Sequence, residues 1–349
     1  MPNSSYKRIY PFVDYIRFIS MIGIIYAHTD VFPARMNLLV YLDEPVSIFT
    51  FVGLKQITHF SVICFFIVSG FLMTDQLKKI SRVTFLIQRL RTILIPYLIS
   101  LFIFLLILFL KGNFKELTNS HSNQRFTDII YFIFYSPFWF IPTLFINIII
   151  ILLFYKYINT VWFGMILLSI TAFYTFGDSF KFKSHSTAFF GFAFYSWLGV
   201  YINENGLVDK IKKIKLSILI LGLIAAFLLA SLQSYWLFIK GNIFFSNNLR
   251  FFNQVYSILF FCFLVKICPE KPSFGIFKPR QETFGLYLYH FFFVIFLIQP
   301  IIEWIVIKGW YPFNSFPLIM AICMLNLIVC YTLSTAFVKL LRFWKVPVL

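Results

Sequence analysis

Charge is scarce in this sequence. Asp, Glu, Lys and Arg make up 12% of its 349 residues, and only 13 residues are acidic. Soluble domains carry about 25% charged residues. That shortfall, with 60% hydrophobic residues and a mean hydropathy of +0.85, excludes a soluble globular chain and points to a multi-pass membrane protein. Metal-ligand and disulfide patterns are missing too. The five cysteines (Cys64, Cys262, Cys268, Cys323, Cys330) lie in or at the ends of apolar runs without CxxC spacing, as small apolar packing residues do. No small-residue cleavage site follows Lys7 and Arg8, so the first apolar run is expected to stay as a span. No repeat relates the two halves, a feature that an inverted-repeat transporter would show.

What is present is a series of apolar segments of membrane-crossing length. They predict an all-α, polytopic protein with about ten transmembrane helices, near 10–30, 58–76, 86–110, 139–157, 160–177, 187–203, 216–236, 248–267, 283–306 and 314–340. Segment 128–138 is apolar but too short to cross, and is expected to be re-entrant or interfacial. With the N-terminus inside, nineteen Lys and Arg fall on the inner side and ten on the outer, with Arg17 inside the first span. Inner loops of membrane proteins carry this excess, so both termini are expected in the cytoplasm. The net charge of +17 is then mostly topological, and nucleic acid drops out as a partner.

One apolar stretch stands apart: PFVDYIRFISMIGIIYAHTD, from Pro11 to Asp30, carries Asp14, Arg17 and His28. A charge in a lipid-facing helix is expensive, so such residues usually face a protein interior or a polar cavity. The eleven steps from Arg17 to His28 turn ~1100°, about 20° past whole turns, which sets both on one face ~16 Å apart. Asp14 lies within about 60° of the same line. A buried ion pair beside a satisfied histidine accounts for these residues. A reaction path, with a guanidinium near the inner membrane face and an imidazole towards the outer, accounts for them better and is the reading taken along the rest of the chain.

The second span, THFSVICFFIVSGFLMTD, brings His59 to about the outer depth of His28, so the two imidazoles are expected to line one outward cavity. His59 is also read as an ordinary interfacial histidine. Ser69 and Gly70 allow close helix contact, and packing is the favoured role for Ser69. Lys78, Lys79 and Arg82 fit a solvated inner loop. Arg89 and Arg91 open the third span just before Pro96, where guanidinium pairs suit phosphates of lipid heads or of a nucleotide-bearing cofactor.

Together these motifs resemble the membrane-bound acyltransferase-3 family. They are an Asp-x-x-Arg with His eleven residues after the Arg, then FFIVSGFLM, then QRLRTILIP. FWFIPTLF at 138–145, FAFYSWLGVYI at 192–202 and TFGLYLYHFFFV at 283–294 agree in order and sidedness. The resemblance implies one acyltransferase-3-like domain over 1–349, without the extracytoplasmic domain that some members append. It implies transfer of an acyl group, most commonly acetyl from cytoplasmic acetyl-CoA, to a hydroxyl of an exported or surface carbohydrate at a bacterial cytoplasmic membrane. Acyl-CoA is then a substrate; no tightly bound cofactor and no metal is expected.

In that frame His28 is the base that takes the alcohol proton, since histidine titrates near working pH. Arg17 holds donor phosphates or the thioester carbonyl, and Asp14 orients Arg17 and offsets its burial. Arg89 and Arg91 anchor the nucleotide. His290 gains a possible accessory role from its match to the late span, against that of a satisfied core histidine. Trp139 packs, belts the interface or stacks on a sugar. His121 and His185 are expected to be solvated, and Glu303 to pair or to line an acceptor route. The longest outer loops, 31–57 and 111–137, are the expected seat of acceptor selection, with Asp43, Glu44, Asn119, Asn123 and Gln124 as polar candidates. The rival from another class is a transporter or flippase for a glycan or lipid intermediate. Within the same class the open choices are a succinyl donor and a lipid or small-molecule acceptor.

Overall fold

The computed structural model describes residues 10–29, 45–111, 137–177, 185–242, 245–275, 277–310 and 316–344, and these are helical throughout, joined by turns. In order the helices are α1 (Pro11–Thr29), α2 (Pro45–Gln56), α3 (Phe60–Leu77), α4 (Arg82–Arg89), α5 (Ile95–Leu110), α6 (Phe140–Leu153) and α7 (Val161–Thr175). The second half adds α8 (Ala193–Glu204), α9 (Leu207–Lys213), α10 (Leu216–Ile239), α11 (Phe251–Ile267), α12 (Pro279–Phe293), α13 (Gln299–Ile307) and α14 (Phe316–Phe343).

Five stretches are long and apolar enough to cross a membrane: Ile48–Leu77, Arg82–Leu110, Leu216–Ile239, Pro279–Ile307 and Met320–Phe343. Every segment expected to span contains a helix, but several are shorter than expected. α6 stops at Leu153, where Phe154 leaves helical geometry and a 3-10 turn (Tyr155–Tyr157) follows. α1 has the length, yet Asp14, Arg17 and His28 dilute its hydropathy. The protein wears its apolar residues outward as well as inward: Leu221, Leu325, Phe102 and Phe109 are all exposed. Apolar surface on that scale needs lipid around it.

The core is built on α3, which packs against α1, α8 and α11. Its closest neighbour is α8. A Cβ on Gly70 would stand 1.8 Å from the Ser196 carbonyl oxygen, and one on Gly199 would stand 1.9 Å from that of Ile67. Only glycine permits this approach, the device by which membrane helices pack without a hydrophobic driving force. Helix α1 fits between α3 on one side and α12 and α14 on the other. Three cysteines, Cys64, Cys323 and Cys330, are buried and all five are free thiols.

Two π-helical segments interrupt long helices: Leu90–Leu94 joins α4 to α5, and Val294–Ile298 joins α12 to α13. Each ends just before a proline, Pro96 or Pro300. Proline lacks the N–H of the regular ladder and its ring crowds the preceding turn, and the extra residue of a π segment relieves that conflict. One feature was not expected: α2, inside the loop assigned to 31–57. Phe51 and Val52 pack on Tyr235 and Phe238 of α10, and the Gln56 amide donates to the Ser234 hydroxyl. Twelve residues are too few to span a bilayer, so the run looked like a loop. Residues 31–44 and 112–136, including His121 and most of 128–138, lie outside the described residues.

Candidate active site

Asp14, in the first turn of α1, is shared between two helices. Its Oδ2 accepts from Arg280 Nη2 of α12 at 3.2 Å, and its Oδ1 lies 3.6 Å from Arg17 Nη1. Arg17 also feels the positive charges of Arg280 and Arg89. Guanidiniums from α1, α4 and α12 thus lie within one another's field, and Asp14 pairs with two of them, Arg17 and Arg280. Arg89 is held by Gln76, whose Oε1 accepts from its Nη2 at 2.6 Å, and it lies over the Phe85 ring at 4.8 Å.

These three arginines line one cavity of about 300 Å³. Its walls are apolar, from Val68, Met73, Ile93, Phe140 and Leu144, with Ser69, Ser196 and Thr283 as polar points. Ser69 therefore faces the cavity, and Gly70 beside it makes the helix contact, the reverse of the favoured reading of Ser69. Tyr287 of α12 also lines the cavity, its ring 5.4 Å from that of Phe140.

One turn beyond Tyr287 is His290, fully buried. Its Nδ1 is 2.8 Å from the Tyr287 carbonyl and 3.0 Å from that of Leu286. Carbonyls only accept, so Nδ1 carries the hydrogen and in the neutral ring Nε2 carries the lone pair. That Nε2 is buried without a hydrogen-bond partner among the described residues. The His28 ring sits 5.4 Å from the His290 ring and 5.9 Å from Phe291.

Two contacts, Asp14 with Arg280 and His28 with His290, fix α1 and α12 as parallel neighbours. Each carries an arginine and then a histidine, eleven residues on in α1 and ten in α12. At ~1.5 Å per residue, the histidine pair lies ~15 Å along the axis from the arginines.

The expected partnership of His28 with His59 is not the one found: His28 meets His290. His59 Nδ1 is 2.6 Å from Asn248 Oδ1, and Ser257 donates to the His59 carbonyl, so His59 ties α3 to the loop before α11. Arg91 is exposed and does not line the cavity, because residues two apart on a helix point ~200° apart. Trp139 is buried with its ring 5.3 Å from Phe192. Exposed Glu303 accepts from Gln299, four residues away, so it pairs within its own helix. His185 opens a 3-10 turn. Arg280, Tyr287 and Gln76 were missed by sequence reading.

The acyltransferase-3 family model, an acyltransferase domain, matches residues 10–335. No curated protein and no solved structure matches the chain.

Proposed function

The chain belongs to the acyltransferase-3 family and is a membrane acyltransferase; from that premise we propose that it moves an acyl group, most commonly acetyl, from cytoplasmic acyl-CoA to a hydroxyl of an exported or surface carbohydrate. The observation that carries the reading is the matched pair of helices, α1 and α12, with arginines at one level and histidines ~15 Å beyond.

Each part suits one piece of the reaction. Arg17 and Arg89 bind donor phosphates through charge-assisted hydrogen bonds, and the apolar walls take the pantetheine arm. An extended arm covers the distance to the histidines. His28 takes the acceptor's hydroxyl proton as the oxygen attacks the thioester carbon. The carbon–sulfur bond then breaks, the ester forms, and the imidazolium returns the proton to the thiolate of coenzyme A. His290, with Nδ1 pinned, keeps an acceptor nitrogen beside His28 throughout. Exposed Arg91 meets the outer part of the nucleotide or a lipid phosphate. The positive-inside bias supports an arginine end on the cytoplasmic side; in this reading the membrane is a bacterial inner membrane and the outer loops 31–57 and 111–137 select the acceptor.

The test compares surface glycans from wild type, a deletion strain and His28→Ala by mass spectrometry before and after mild alkali, with membrane levels of the variant checked. An alkali-labile acyl mass lost in both strains is the expected result, and that mass names the donor group. Unchanged acylation in both overturns the carbohydrate assignment. Loss of the whole glycan in the deletion, with His28→Ala harmless, would favour a transporter instead.

A further inference from the structure

We propose that Arg280 is a third phosphate-binding residue of the cavity, acting with Arg17 and Arg89 on a diphosphate-bearing nucleotide. The proposal rests on the reading of the cavity as the acyl-CoA site and adds a residue to it.

Arg280 lies in the first turn of α12, lines the cavity, and donates to Asp14 on α1. Asp14 is itself shared with Arg17. The three guanidiniums carry three positive charges against the one negative charge of Asp14, an excess of two. The three arginines are the only Lys, Arg, Asp, Glu or His lining the cavity among the described residues, with Asp14 pairing two of them from outside that lining. An excess of two positive charges in an apolar cavity is costly for an empty site, and it matches the two charges of a diphosphate. Arg280 is also reachable. Its side chain is 39% exposed, against 24% for Arg17. It stands at the more open edge of the cluster, where a ligand arriving from the arginine end meets it first. A guanidinium bound to Asp14 through one Nη2 keeps its other N–H donors for phosphate oxygens.

The neighbouring acid does not compete for it. Glu282, buried two residues on, accepts from the Lys278 backbone N–H at 2.8 Å and pairs with Arg342 at 3.8 Å. The positive end of α12 adds to the same field, with Pro279 and Thr283 on the cavity wall.

The experiment titrates coenzyme A, and separately ADP, into the full chain in nanodiscs by calorimetry, for wild type, Arg280→Gln and Arg280→Lys. Losing one charge-assisted contact is expected to weaken coenzyme A binding by about 10- to 100-fold in Arg280→Gln. Arg280→Lys, which keeps the charge and the pairing with Asp14 but loses the fork, should weaken it by only about 3- to 10-fold. Affinity should also depend less steeply on salt in Arg280→Gln. Wild-type affinity in both variants overturns the role of Arg280 and leaves the acyl-CoA reading standing. A wild-type chain that binds neither coenzyme A nor ADP overturns both. If Arg280→Gln yields no folded protein, Arg280→Lys decides alone: weakened binding supports the role, and unchanged binding refutes it.

Discussion

Replacing His290 by leucine should leave stability within about 2 kcal/mol of wild type and the protein nearly inactive. The buried Nε2 has no hydrogen-bond partner among the described residues. Such an orphaned group costs about 1–3 kcal/mol of desolvation. Leucine removes that cost and the Nδ1 bond, worth about 1 kcal/mol. The carbonyls that Nδ1 touches, of Leu286 and Tyr287, belong to the helix ladder and keep their backbone partners there. Mismatch of shape between imidazole and leucine costs less than about 1.5 kcal/mol. These terms leave a change between a loss of about 1.5 and a gain of about 2 kcal/mol. Activity should move in one direction only. If the lone pair serves the reaction, kcat falls by at least about 100-fold, the scale of acid–base assistance. The donor KM should hardly change, since the phosphate contacts lie ~15 Å away. The assays are thermal unfolding of the detergent-solubilised chain and turnover with acyl-CoA. A loss beyond about 2 kcal/mol with activity tracking the folded fraction would mean that His290 only fills the core.

Arg89→Gln should raise donor KM about 10-fold or more, and Arg91→Gln less than about 3-fold, because only Arg89 lines the cavity; equal effects, measured as initial rates against acyl-CoA, would refute the division. His59→Phe should cost about 1–3 kcal/mol of stability through loss of its bond to Asn248, with kcat per folded molecule unchanged; a selective fall in kcat would return His59 to the site. Gly199→Ala should be strongly destabilising, as its Cβ would meet the Ile67 carbonyl oxygen at 1.9 Å and force α3 from α8, at a cost of about 1–3 kcal/mol or more; a normal unfolding midpoint would show that the contact is looser. Asp14→Asn should lower the stability of the ligand-free protein by about 1–2 kcal/mol, less than for a fully buried pair because Arg17 and Arg280 are partly exposed. The same variant should gain more from added coenzyme A than wild type does, read as the ligand-induced shift in midpoint.

The membrane character, the order of helices and the opening helix were legible from composition and from angular spacing. Arg17 and His28 share a face because eleven residues return almost to whole turns. The same arithmetic hid the other half of the site. From Arg280 to His290 is ten residues, ~1000°, which misses whole turns by about 80°. Arg280 thus stood off the face of His290, and it also sat among inner-side lysines that topology already explained. Only contact with α1 singles it out. The pairing of His28 with His59 failed for a related reason. Depth along the membrane normal places two residues at one level, but not on facing sides of their helices. Ser69 shows the same limit at one-residue scale: a Ser-Gly pair announces a close contact without saying which of the two makes it.

The two π segments share one logic with the site. Val294–Ile298 begins four residues after His290, and Leu90–Leu94 begins one residue after Arg89. A π segment adds one residue to a turn and so rotates everything beyond it by about 100° relative to what precedes. In α12 this lets the turn bearing Tyr287 and His290 face α1 and the cavity, while the stretch after it answers to a different neighbour. In the helix of Arg89 it separates a polar segment at the membrane face from the long apolar run of α5. Both helices meet two demands, one from the cavity and one from the bilayer, and a single helical phase serves only one of them. The prolines at 96 and 300 keep the change of phase in place, because a regular ladder cannot close across them.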